Sequence, residues 1–208
     1  MQKGILGLML LILLSAVAHS AEWKRLGLQA GFVSANLTGR SKTVDTDPRF
    51  GRFARLSVGV AFDDTYNFES GIVFIEKGWK VSANDTTDTY FLDYLELPVT
   101  IRINLRQAPV FNTSAFVGLV WGYNIRAQRT TRTASTEETV TLDWVRKDEF
   151  SVAAGLGVAF PTRFGIFTID ARYQLGFSTV VKNPDNNPDI NIDWRNETIG
   201  LVIGYMFR

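Results

Sequence analysis

The stretch Tyr94–Leu105, YLELPVTIRINL, confines the chain more than any other. Leu95, Leu97, Val99, Ile101, Ile103 and Leu105 are aliphatic, whereas Tyr94, Glu96, Pro98, Thr100, Arg102 and Asn104 are polar or small, Pro98 apart. A period of two places these sets on opposite faces of a β-strand. A soluble sheet and a membrane barrel share that pattern and differ in what lies against the apolar face.

Alternation of this kind recurs in eight segments, at about 25–37, 52–63, 67–79, 91–105, 113–127, 148–161, 165–178 and 194–207. No helical stripe persists beyond two turns. The links alternate in length. Those at 38–51, 80–90, 128–147 and 179–193 are long and polar, and those at 64–66, 106–112 and 162–164 are short. In an up-and-down antiparallel sheet every long link then falls at one end, as in outer-membrane barrels. Both termini fall at the other end.

The apolar phase runs through Leu26, Leu28, Ala30 and Phe32, through Ala54 to Phe62, and on to Ile199, Leu201, Ile203, Tyr205 and Phe207. Within these spans Ser70 is the only interruption, and no charge occupies this phase. The opposite phase carries many glycines, such as Gly31, Gly118, Gly157 and Gly204. It also carries Arg55, Glu69, Lys77, Glu96, Arg102, Arg126, Glu149, Asp170 and Arg172. Pointed inward, as in a soluble lipocalin-like ligand-binding barrel, the apolar set would overfill an eight-stranded interior. The glycines would then form a solvated skin with nothing to pack. Pointed outward into lipid, the apolar set avoids the ~2–4 kcal/mol that Arg or Lys costs at mid-bilayer, and glycines leave room for long charged side chains inside. A two-sheet sandwich leaves open edges and fits less well. Aromatics near segment ends, among them Trp23, Phe62, Tyr66, Trp79, Tyr90, Phe111, Phe150, Phe164, Phe177 and Phe207, read as two interfacial girdles.

The N-terminus reads as an export signal. Lys3 precedes the apolar run Ile5–Ala18, and small residues place cleavage after Ala18, Ser20 or Ala21. The run is shorter than the roughly 20 residues of a spanning helix. The domain reading is a signal peptide at 1–20 and one barrel at 21–208. Cleavage removes one base and no acid, so the balance becomes 22 − 1 = 21 basic against 21 acidic residues. That balance does not suggest a nucleic-acid binder. There is no cysteine, and the only histidine, His19, leaves with the signal. Ser–His and Cys–His nucleophilic catalysis and a zinc–histidine site lose their central group.

IEKGWK at 75–80, a Thr/Asp-rich link and then YLELPVTIRINL resemble the porin-like outer-membrane β-barrel domain family of Gram-negative bacteria. AFVGLVWGYNI (115–125), FSVAAGLGVAF (150–160) and IDARYQLGF (169–177) fit its later strands. The resemblance covers the whole mature chain. It implies an outer-membrane location, an eight-stranded barrel, and assembly by the outer-membrane insertion machinery. That machinery reads a C-terminal aromatic, and here Phe207 is followed by Arg208.

The inward charges are five basic and four acidic, a near balance. A selective pore shows one sign in excess along its wall, whereas buried charges must be paired. The expectation is a salt-bridged plug, with Glu96, Arg102, Asp170 and Arg172 at its centre. No catalytic, cofactor-binding or metal-binding residue is assigned. The lumenal carboxylates lie beside cations that hold them ionised, which disfavours a lipid-modifying enzyme. The Asp/Asn-rich 183–193 link lacks the ligand spacing of a calcium loop. Expected partners are membrane lipids and lipopolysaccharide, whose phosphates Arg126, Arg129 and Arg132 would contact. No protein partner is indicated. The functional expectation is a non-enzymatic barrel with a structural or surface role, or limited small-solute diffusion.

Overall fold

The computed structural model describes residues 25–39, 45–83, 85–108, 110–181 and 193–207. The signal peptide and the 183–192 part of the last long link lie outside them. The strands are β1 (Arg25–Thr38), β2 (Asp47–Ala61), β3 (Tyr66–Ala83), β4 (Thr86–Gln107), β5 (Asn112–Arg132), β6 (Glu137–Thr141), β7 (Asp148–Pro161), β8 (Gly165–Gly176) and β9 (Arg195–Phe207). No helix occurs among the described residues.

Every pairing is antiparallel. Eight strands, all except β6, pair in chain order, and β9 returns to β1, so the sheet closes on itself. Closure leaves no unpaired edge in lipid, which is the condition for a sheet to cross hydrocarbon. Short turns join β2 to β3, β4 to β5 and β7 to β8 at the end that also holds the start of β1. In the first of these, the Asp63 carboxylate accepts the Thr65 and Tyr66 amides, each at 2.7 Å.

The two faces differ sharply in exposure. Phe32 is 71% exposed and Leu119 65%, whereas Val73, Lys77 and Ala153 are 0%. Ile101, Val117 and Ile169, from the apolar phase, are exposed around the wall. Outward charge begins only where this apolar wall ends, toward the long links. There Arg52 pairs with Glu76 at 2.6 Å and Arg126 with Asp93 at 2.8 Å. Arg52 and Glu76 are outward charges in two strands expected to carry none. Their place at the rim explains why no mid-bilayer cost applies.

Above that rim the barrel does not dissolve into loops. The expected 80–90 link is a hairpin from Ala83 to Thr86, and β5 continues through Arg132 into the short partner strand β6. Beyond Glu76, β3 runs seven more residues, ~23 Å of strand at ~3.3 Å per residue. The result is a projecting sheet of β3, β4, β5 and β6.

Candidate functional site: a closed lumen and a capped mouth

Each lumenal charge sits on a strand whose alternation turns it inward, and small neighbours leave it room. A Cβ on Gly157 would lie 2.1 Å from the Asp170 carboxylate and 2.7 Å from the Arg102 guanidinium. At Gly155 it would lie 2.5 Å from the Phe116 ring.

Two ionic clusters result. In the first, Arg102 is the hub. Its Nε donates to Glu69 at 2.7 Å, and its two terminal nitrogens donate to the two oxygens of Asp170, each at 3.0 Å. This bidentate geometry is the strong form of a charge-assisted contact. Arg102 also donates to Ser114 and lies 4.9 Å from the Phe116 ring centroid. Arg55 approaches Glu69 at 3.6 Å, and Gln29 bridges Arg55 to Asp170.

In the second cluster Lys77 is shared by two carboxylates, Glu96 at 2.7 Å and Glu149 at 2.5 Å, with all three side chains at most 5% exposed. Gln174 donates to Glu96 at 2.8 Å and to Ser151 at 2.9 Å. Asn196 donates to Glu149 and to the Tyr94 hydroxyl. Arg172 stacks 4.5 Å from the Phe53 ring centroid and donates to Gln174 at 3.2 Å.

Of the nine charges assigned inward, eight are buried in these clusters and Arg126 is not. Its side chain is 43% exposed. A register shift between Asp93 and Tyr94 changes the phase of β5, so that Ala127 turns in and Arg126 turns out to Asp93. The same shift divides the arginines expected to act together. Arg129 pairs with Tyr90, whose ring packs inward, whereas Arg126 and Arg132 pair with Asp93 and Thr87 on the outer face. Arg132 is also bonded to Glu137 at 2.7 Å. The bridging amides Gln29, Gln174 and Asn196 were not singled out in the sequence, although each lies in the lumenal phase.

A third layer caps the long-link mouth. Trp79 and Tyr90 stack with centroids 4.4 Å apart, and Trp144 meets Tyr90 edge-on at 6.4 Å. Val145, Val180 and Trp194 pack on the same cluster, which runs down to Ile75, Leu92 and Tyr94. Trp79, 2% exposed, therefore belongs to a lid and not to an interfacial girdle. The lid is tied by main-chain bonds from Arg146 to Val180 and from Val180 to Trp194. Outward aromatics do mark the short-turn end, with Phe62, Tyr66, Phe164, Phe167 and Phe207 exposed.

A closed antiparallel barrel, greasy outside and ionic inside, is an integral outer-membrane protein. The family model for the outer membrane protein beta-barrel domain matches residues 22–182, and the chain belongs to that family. It resides in the bacterial outer membrane. No curated protein matches the sequence. Among solved structures, the outer membrane protein OprG of Pseudomonas aeruginosa is similar at 10% identity and TM-score 0.51, over 90% of this chain and 98% of that one. Neisserial surface protein A gives 11% identity and TM-score 0.46, over 86% and 96%. Ail of Yersinia pestis gives 15% and 0.41, over 89% and 100%.

Proposed function

We propose that this barrel is a non-enzymatic surface protein whose lumen is shut. Its work is then done by its outer face and its projecting sheet, with no solute path through the centre. The observation that carries this reading is the stack of three obstructions along one axis: the Arg102 cluster, the Lys77 cluster and the Trp79–Tyr90 lid. Eight strands enclose an interior that side chains can fill, and a charge freed there to open a path would cost several kcal/mol.

The non-enzymatic reading draws support from the same contacts. Glu69 and Asp170 are held by Arg102, and Glu96 and Glu149 by Lys77, which favours the ionised carboxylate in each case. His19, the sole histidine, lies upstream of β1.

Planar-bilayer recording tests the closed lumen. The purified barrel is expected to give no steady open current, and a stable conductance level in the unmodified protein would overturn the reading. Glu96→Ala and Asp170→Ala test the enzymatic alternative. Loss of a measured lipid-modifying activity, with heat-modifiable gel mobility retained, would establish catalysis in the lumen.

A further inference from the structure

The outer face of the projecting sheet carries a cleft of about 460 Å³. Arg49, Lys80 and Arg132 line it with one carboxylate, Glu137, and its apolar surface comes from Phe50 and Phe91. Arg49 is fixed in place. Its guanidinium donates to the Lys77 carbonyl at 2.7 Å and lies 4.4 Å from the Phe91 ring centroid. Gly78, at φ +136°, makes this possible: a side chain there would meet the Tyr90 carbonyl and crowd the Arg49 stem. Lys80 has no ion-pair partner among the described residues. Phe50 is 78% exposed beside these cations.

Height above the membrane identifies the occupant. The apolar wall ends at the Arg52–Glu76 and Asp93–Arg126 pairs. Phe91 lies two residues beyond Asp93 and Lys80 four beyond Glu76. At ~3.3 Å per residue and ~45° tilt, these stand roughly 5 and 9 Å above the rim. The polar layer on each side of the hydrocarbon is about 5–8 Å thick. The cleft therefore opens sideways into the headgroup layer of the outer leaflet.

We propose that this cleft binds the phosphorylated sugar headgroup of an outer-leaflet glycolipid. Arg49, Lys80 and Arg132 engage its phosphates, Phe50 packs on the sugar, and the acyl chains descend the apolar wall. A planar guanidinium and a compact ammonium are the donors suited to phosphate. The proposal rests on the outer-surface reading above. It replaces the contact expected from the 126–132 arginines, since Arg129 faces the lid and Arg126 is bonded to Asp93.

The test measures binding of purified lipid A to the folded barrel in detergent by native mass spectrometry, with heat-modifiable mobility confirming fold. One bound lipid A is expected. Lys80→Glu combined with Arg132→Glu should weaken it by at least about tenfold, as should enzymatic removal of its phosphates. Phe50→Ala should weaken it without altering charge, and Arg129→Ala should leave it unchanged. Unaltered binding by the double variant would overturn the proposal, as would an Arg129→Ala loss equal to that of the double variant. Full displacement by excess inorganic phosphate would reassign the cleft to a free anion and also overturn it. Bilayer conductance, which decides the closed lumen, involves no lipid A, so the two readings fail separately.

Discussion

Replacing Lys77 by methionine keeps the length of the side chain and removes its charge. The structure then leaves Glu96 and Glu149 facing the site of an ammonium that had stood 2.7 and 2.5 Å from them. Lys77 is 0% exposed and Glu96 is 1% exposed, so water cannot replace the lost partner without opening the wall. Removing one partner of a buried ion pair costs about 3–5 kcal/mol. Here one cation serves two acids, which places the loss at the upper end of that range. Taking a slope of about 2 kcal/mol per M urea, a loss of about 4 kcal/mol lowers the unfolding midpoint by ~2 M. The assay is urea unfolding of the lipid-reconstituted barrel, followed by tryptophan fluorescence and by gel mobility. The double variant Lys77→Met with Glu149→Gln should recover part of the loss, because it removes one orphaned charge. A Lys77→Met midpoint within a few tenths of a molar of the unmodified protein would refute the claim that this cluster is a dry, paired ionic layer.

Three further outcomes follow from named contacts. Gly157→Ala inserts a methyl against the Asp170–Arg102 pair and should destabilise by more than about 1 kcal/mol, whereas Ala153→Gly should not disturb that pair; the same urea assay separates them. Leu119→Arg, on the exposed wall, should cost roughly 2–4 kcal/mol in bilayers if that wall is lipid-facing. An equal cost in water-soluble conditions would argue for a protein-covered face. Tyr90→Ala removes the ring stacked on Trp79 and should lower stability by about 3–5 kcal/mol. Current should remain absent in bilayers, because the two ionic clusters below the lid are untouched.

The barrel wall was legible because hydrocarbon applies one penalty to every outward position. Leu97, Val117, Ile169 and their counterparts therefore repeat a single pattern across strands of otherwise different composition. Nothing comparable acts above the rim. There β4 reads TTDT and β6 reads EETVT, polar on both faces, so strands held by main-chain pairing and threonine's pleated-sheet preference look like loop. The misplacement of Arg126 has another origin. Parity carried along β5 fails at a register shift that no residue in YNIRA announces. Trp79 was legible and misread. It shares parity with Lys77, which points inward, but its nearness to a strand end suggested an interfacial ring. Arg52 and Glu76 had a signal too: both stand in the outward phase at strand positions where the apolar run stops.

Arg172 tests whether the lumen is balanced as a whole or only pair by pair. The Arg102 cluster holds Arg55 and Arg102 against Glu69 and Asp170, and its formal charge is zero. The Lys77 cluster holds one cation against Glu96 and Glu149, leaving one negative charge in excess. Arg172 lies between them, 7% exposed, with no carboxylate at ion-pair distance among the described residues. Its terminal nitrogen donates to Gln174 Oε1, and Gln174 Nε2 donates onward to Glu96. The amide thus passes a hydrogen bond from the spare cation to the spare anion, and the lumen closes at zero. In a medium of low dielectric such an interaction persists across a bridging residue. Arg172→Met should therefore destabilise the barrel by several kcal/mol, although it breaks no direct ion pair, and Glu96→Gln in the same chain should restore much of the loss. If balance were only pairwise, Arg172→Met would place an apolar side chain against Phe53 and leave the midpoint equal or higher. The urea midpoints of these two variants distinguish the cases.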